Sequence, residues 1–218
     1  MSLLIVAATT SEIEPLLKDL RKRKTLPDID VLITGAGLLA ATWSITRQVQ
    51  LKKPTFIIQA GLAGSLSTSL KPGTVVTVRD EIVADLGVMQ EGSFHTLFDL
   101  GLAEADAHPY RKGKLVNTNR LITQLSYPAV RAITVNEITT DPSRTNYYRK
   151  QLKAAIESME GAALHYIGLM EKIPFLQLRA ISNYIGERDK SKWKMQPAIR
   201  KLNKALIDLL KIKGNLSR

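Results

Sequence analysis

Residues 3–8, 29–34 and 56–60 are short apolar runs of buried-strand type, separated by helix-period segments at 11–24 and 38–51. Apolar runs this short and unbroken fit strands covered on both faces, and helices between them fit parallel neighbours joined by crossovers. The expected fold class is therefore α/β, with a mixed, mostly parallel central sheet and helices on both faces. From 73 to 85 the pattern turns β-rich without helices, as in a meander or a barrel-like extension of the sheet. Residues 92–114 read as irregular with a short helix, 131–135 as a strand and 146–155 as a helix. A helix at 162–171, a strand at 175–181 and an amphipathic helix at 194–211 complete the pattern. No repeat, low-complexity stretch or linker divides the chain, so one domain over residues 1–218 is expected.

Composition narrows the function. The net charge of +11 fits either a solvated basic surface or a basic patch for an anionic partner. The basic residues are spread over helix faces, as Lys18, Arg21, Lys22, Arg23 and Lys24 show in the first helix. Aromatic residues make up 6% of the chain, and no nucleic-acid module is evident, so no nucleic acid is expected as partner. No apolar run nears the roughly 20 residues of a membrane helix, so no membrane partner is expected either. The chain enters a strand at once with no basic segment before it, and no signal peptide is expected. Cys is absent, which suits a cytoplasmic location and leaves no thiolate for a metal. His95, His108 and His165 show neither triad context nor metal spacing, so no metal and no cofactor are expected.

Two segments carry chemistry. Ser158-Met159-Glu160-Gly161-Ala162-Ala163 opens one helix, and Arg179-Ala180-Ile181-Ser182-Asn183 closes the following strand. Together they set a carboxylate, an arginine and an amide at the ends of consecutive elements. That set suits a pair of sugar hydroxyls, a developing cation and a purine ring. Glu12, just after the first strand, adds a second carboxylate at the sheet edge where open α/β folds place ligands. From the residues alone, Glu12 and Glu160 also fit carboxylates favoured at helix starts, Met159 fits core packing, and Asn183 fits a loop cap.

The hexapeptide resembles the ribose-binding segment of the purine nucleoside phosphorylase and nucleosidase superfamily, and the order of elements follows that fold over nearly the whole chain. Within it the chain resembles the nucleosidase branch, nearest the futalosine hydrolases of menaquinone biosynthesis. Residues 4–9 with Glu12 and Pro15, then Ala84-Asp85-Leu86-Gly87, then residues 182–189 with Trp193 carry the finer likeness. The resemblance implies a small-molecule nucleoside substrate, hydrolysis of the N-ribosidic bond of futalosine with release of hypoxanthine, and a homo-oligomer. It assigns Glu12 as the base that deprotonates water, Arg179 as the group steadying water and carboxylates, and Asn183 as the contact to the leaving purine. Glu160 would hold the ribose hydroxyls with Met159 beneath the ring, and Ser182 would orient Asn183. Val135 and Asn136 would stack and orient the base, while Phe94 would face the 5′ substituent.

Gly61-Leu62-Ala63-Gly64 reads as a Gly-rich turn, in which Gly61 and Ala63 would approach the substrate as phosphorylases cradle phosphate. A basic residue near Ala7-Ala8-Thr9-Thr10, usual in phosphorylases, is not evident, which favours water over phosphate. Asn183 stands where adenine-specific nucleosidases carry Asp. Its NH₂ can donate to N7 or to a 6-oxo oxygen, and its carbonyl can accept from a protonated N7. An amide supplies no proton, which points to an inosine-like nucleoside, with Asp189 as another proton source. The alternatives are a methylthioadenosine, adenosylhomocysteine or aminofutalosine nucleosidase, and a purine nucleoside phosphorylase.

Overall fold

The computed structural model describes residues 2–23 and 28–216, with side chains described to residue 211, so Lys24 lies outside the described residues. The chain opens as β1 (Leu3–Ala7), α1 (Thr10–Lys22), β2 (Ile29–Ile33), α2 (Leu38–Lys52) and β3 (Phe56–Ser65). There follow β4 (Val75–Val83), β5 (Gly87–Gln90), β6 (Ser93–Thr96), β7 (Tyr110–Arg111), β8 (Lys114–Val116) and α3 (Leu121–Gln124). The last third is β9 (Ala129–Thr134), α4 (Pro142–Lys150), β10 (Ile156–Ser158), α5 (Gly161–Met170), β11 (Phe175–Tyr184) and α6 (Met195–Leu216).

The expected α/β class holds. β1 runs parallel to both β2 and β3, and β3 parallel to β11. At Gly64 and Ser65 the long β3 also pairs antiparallel with β10; β10 pairs with β9, β9 with β4, and β4 with β11. Those pairings close a circuit, so the barrel-like extension expected around 73–85 is real. Ala63, Val76, Val78, Val130, Ala132, Ile156 and Ile181 pack together there. On one face of the sheet α1 and α6 bury Ile13, Leu16, Leu202 and Leu206 against β1, β3 and β11. On the other, α2 and α5 bury Ala41, Ile45, Leu164 and Ile167. No helix among the described residues is long and apolar enough to cross a membrane.

Three expectations are corrected. Gly61-Leu62-Ala63-Gly64 is not a turn, because β3 continues through it to Ser65. Glycine weakens a strand unless something must come close, and side chains of neighbouring β11 and the loop after it fill the space at both positions, as described below. Residues 92–114 contain no helix; the β5–β6 hairpin and a series of turns occupy them. The helix expected at 146–155 instead spans Pro142–Lys150. The Asp141 side chain accepts from Arg144 N at 2.7 Å, and Pro142 fits the first turn, where its missing N–H costs nothing.

Candidate active site

A cavity of about 370 Å³ opens at the carboxyl ends of β1, β3, β10 and β11. Glu12, Ala63, Met159, Glu160, Ser182 and Asn183 line it. The residues come from elements far apart in the chain, and the sheet order brings them together.

Glu12 is the third residue of α1 and closes a capping box with Thr9: its Oε2 accepts from Thr9 N at 3.0 Å and from Thr9 Oγ1 at 3.2 Å. Its Oε1 accepts from Leu62 N on β3 at 3.0 Å. The helix-cap role and the position on the cleft thus coexist in one side chain. Pro15 interrupts the helix ladder just beyond, and Asn203 of α6, 1% exposed, inserts its amide there. Asn203 Oδ1 accepts from Leu16 N at 2.9 Å and its Nδ2 donates to Glu12 O at 2.8 Å. This brace fixes the turn carrying Glu12, and the sequence reading missed it. A polar residue within the apolar face of α6 was the available signal.

Glu160 precedes α5, and its Oε1 accepts from Gly37 N, the N-cap of α2, at 2.9 Å. That helix end favours a negative charge, and Gly37 at φ 93° adopts a backbone open to glycine. Arg179 lies behind the cleft rather than on its wall. It is 1% exposed, with Nη1 3.7 Å from Glu160 Oε2. Gly61 makes room for it: a Cβ at 61 would collide with Arg179 Nη1 and lie 3.1 Å from Glu12 Oε1. Gly61 is therefore a spacing residue rather than part of a phosphate turn. Gly61→Ala is expected to lower turnover by at least about 10-fold, as misplacement of about 1 Å can cost more than that. The melting temperature should fall as well, and steady-state rates with a thermal scan check both.

Asn183 reaches the cleft through a β-bulge. Ile181 pairs with Ala63 and Asn183 with Gly64, which leaves Ser182 as the extra residue in β11. A bulge re-aims the side chains beside it: Ile181 points into the barrel core, and Asn183 lines the cleft. Ser182 Oγ donates to Asn183 Oδ1 at 2.7 Å, and Asn183 Nδ2 donates to Tyr184 O at 3.0 Å. With Oδ1 engaged, the amide offers its remaining N–H to a ligand. Of the two orientations open at the sequence level, the donor one is favoured.

Other expected residues lie elsewhere. Val135 is buried in a separate apolar cluster with Ile133 and Tyr148. Asn136 bonds Asp85, through its N at 2.5 Å and its Nδ2 at 3.3 Å. The strand ends at Thr134, so the chain first reaches the cleft four residues further on, at Ile138 and Thr139. Phe94 sits on the β5–β6 hairpin against α4, its ring 6.0 Å from that of Tyr147, beside another cavity of about 300 Å³. Asp189 turns away from the cleft: Ser191 Oγ and N bond its carboxylate at 2.6 and 3.0 Å and hold it below the usual range. The loop does fold over the opening, where Gly186, Glu187, Arg188 and Trp193 line it.

A buried polar network supports Arg179. With the Gln177 amide oriented to match its neighbours, Oε1 accepts from Arg179 Nε at 3.1 Å. Its Nε2 then donates to His165 Nε2 at 2.8 Å and to Glu81 Oε2 at 3.2 Å. Thr134 Oγ1 donates to Glu81 Oε1 at 2.7 Å. Burial pushes the Glu81 carboxyl up to about 7 from 4.5, and pushes His165 down to about 4 from 6.5.

The two groups act on stability in opposite directions. As pH rises from 4.5 to about 7, the fold keeps a proton on Glu81 that the unfolded chain has lost, so stability falls. As pH rises from about 4 to 6.5, the unfolded chain keeps a proton that folded His165 lacks, so stability rises. Glu81→Gln removes the first effect. Its melting temperature relative to wild type should therefore climb by a few degrees between about pH 5 and 8. A constant difference across that range in thermal unfolding would contradict this.

Among the described residues, four buried side-chain atoms have no partner: Gln59 Oε1, Glu157 Oε2, Ser158 Oγ and Arg179 Nη2. Glu157 and Ser158 line the cleft, while Gln59 and Arg179 both contact Glu160. Buried polar groups are ordinarily satisfied, so their concentration around one cavity marks it as a ligand site. Burial pushes the Glu157 carboxyl above its usual range.

A mixed sheet whose strand ends gather carboxylates, an amide and a buried arginine about one cleft defines an α/β enzyme with a polar active-site cleft. Residues 8–211 match the phosphorylase superfamily, and the chain belongs to that family. It is 29% identical over 191 residues to the futalosine hydrolase of Thermus thermophilus, across 86% of this chain and 83% of that one. The fold resembles the 5′-methylthioadenosine/S-adenosylhomocysteine nucleosidase of Colwellia psychrerythraea in complex with adenine. The TM-score there is 0.78 at 19% identity, covering 97% of this chain and 95% of that one. It also resembles the native futalosine hydrolase of Helicobacter pylori, with a TM-score of 0.74 at 16% identity over 95% of this chain and 97% of that one.

Proposed function

We propose that the chain is a futalosine hydrolase, one nucleosidase domain that cleaves the N-ribosidic bond of futalosine with water and releases hypoxanthine. The observation that carries this reading is the meeting of Glu12, Glu160 and Asn183 on one cleft, with Arg179 held behind Glu160. Glu160 binds the ribose hydroxyls through charge-assisted hydrogen bonds, about twice as strong as neutral ones. Met159 lies against the sugar as an adaptable apolar contact. Glu12 takes a proton from water as its oxygen attacks C1′ and the bond from C1′ to the purine breaks. The two carboxylates stabilise the positive charge that builds on the ribose. The bonding electrons leave with the base, whose developing negative charge Asn183 meets with an N–H.

The cleft lining supports water rather than phosphate. Arg188 is the one Lys or Arg among the described residues lining it, and its guanidinium lies 5.8 Å from the centre of the Trp193 ring. The Gly61–Gly64 segment is hydrogen-bonded strand rather than an open loop of N–H groups. The same reading carries a role in menaquinone biosynthesis, a cytoplasmic location and a homo-oligomer. Turnover in ¹⁸O-labelled water tests the reaction class. Label at C1′ of the sugar product, at a rate indifferent to phosphate, is expected. A ribose 1-phosphate-type product formed in proportion to phosphate would assign the chain to the phosphorylases instead.

A further inference from the structure

Strand β11 carries two adjacent polar side chains on one face. Leu176, Leu178 and Ala180 pack into the cluster beneath α1 and α6. Side chains alternate along a strand, so Gln177 and Arg179 share the opposite face. Both are fully buried. A Cβ at Gly161, the residue after Glu160, would collide with the Gln177 amide and with Glu81 Oε2. The turn that bears Glu160 is therefore packed directly on Gln177.

The direction of the Gln177 amide follows from its neighbours. His165 Nδ1 lies 3.1 Å from Leu115 O, a carbonyl that only accepts, so Nδ1 carries the hydrogen. Burial pushes the His165 pKa down to about 4 and keeps the ring neutral, which leaves Nε2 as an acceptor. An acceptor at 2.8 Å requires the Gln177 NH₂ on that side. Glu81 Oε2, at 3.2 Å, takes the second N–H, as a carboxyl oxygen can in either protonation state. The Gln177 oxygen then faces Arg179 Nε, which only donates, at 3.1 Å. Donor and acceptor senses agree at each step from Leu115 O to Arg179. The other polar contacts of the guanidinium are longer: Nη1 is 3.4 Å from Leu62 O and 3.7 Å from Glu160 Oε2, and Nη2 has no partner.

We propose that Gln177 is a positioning residue of the nucleoside site, which fixes the plane of the Arg179 guanidinium and through it the Glu160 carboxylate. A guanidinium is a rigid planar fork, so a hydrogen bond at Nε sets the direction of both Nη groups. The contact with Glu160 is too long to set it alone. A carboxylate held in place before the ligand arrives loses little freedom on binding. This deepens the hydrolase reading and rests on it for what Glu160 holds, the ribose hydroxyls.

Two NMR observations on the ligand-free wild-type protein test the arrangement, and the kinetics of Gln177→Met test its consequence. The chain has three histidines, so the His165 ring nitrogens are readily assigned. At pH 7 the proton should sit on Nδ1, and a coupling across the hydrogen bond should link Arg179 Nε to the side-chain carbonyl carbon of Gln177. A proton on His165 Nε2, or no such coupling, would overturn the proposal even if the variant folds poorly. Gln177→Met keeps the length of the side chain and removes the acceptor. It should lower kcat/KM at least about 10-fold for futalosine, but less than about 3-fold for the 3′-deoxy analogue of futalosine, since about 1 Å of misplacement at a contact can cost more than 10-fold where the contact exists. The analogue lacks a hydroxyl that Glu160 would hold, whereas a purely structural role would lower both substrates alike. An equal loss on both, or no loss, would overturn the proposal. The expected tautomer and coupling in a wild-type protein that leaves futalosine intact would support the grip of Gln177 on Arg179 and contradict only the hydrolase reading.

Discussion

Glu12→Gln is expected to lower turnover by about 10²–10⁴-fold while leaving the fold intact, the range for loss of a general base. Water is a poor nucleophile, and an amide at this position can hold it but cannot take its proton. The choice of Gln matters because Glu12 also closes the α1 capping box with Thr9. Glutamine serves at that position of the box as well as glutamate, so the helix start should survive. Glu12→Ala would mix the two roles, as loss of a cap contact alone costs about 1 kcal/mol of stability. The variant should melt within a few degrees of wild type. Near-normal turnover in Glu12→Gln would remove this residue from the chemistry and leave it a cap.

Asn183→Ala is expected to lower turnover by about 10²–10³-fold, the usual loss when one donor to a developing negative charge is removed. In the proposed reaction the departing purine accumulates charge over N7 and the 6-oxygen, where the N–H of an amide held by Ser182 would meet it. The effect should fall on kcat more than on KM, because the interaction strengthens as the bond breaks. Asn183 is half-buried at the cleft edge, so truncation leaves no internal cavity and the melting temperature should barely move. A loss confined to KM would make Asn183 a binding contact without a part in bond cleavage.

Much of this arrangement was legible before any coordinates. The alternation of apolar runs and helix-period segments identified the α/β class, since each strand buried on both faces must read as continuously apolar. Glu12, Met159, Glu160, Ser182 and Asn183 could be placed on one edge because each ends or follows a recognisable element. What the sequence hid was register. Val135 and Asn136 were expected at the base, but the strand ends at Thr134, and the cleft is reached at Ile138 and Thr139. Gly61–Gly64 reads as a turn because glycine usually marks one. Its actual reason is the Arg179 and Ile185 side chains, which fill the space a Cβ would need. Contacts between distant elements leave no local pattern. Asn203 of α6 bracing α1 and Gln177 joining Glu81 to Arg179 both depend on which distant elements the fold packs together. Phe94 was misplaced for a related reason, because its hairpin packs against α4 instead of over the cleft.

The most direct measurement is purine release by the purified protein from futalosine and from methylthioadenosine, side by side and without phosphate. The paired carboxylates and the donor amide predict hypoxanthine from futalosine at a rate far above adenine from methylthioadenosine. Adenine released as fast or faster would contradict the assignment of Asn183 to a 6-oxopurine. Release of neither base without phosphate would contradict the hydrolase itself.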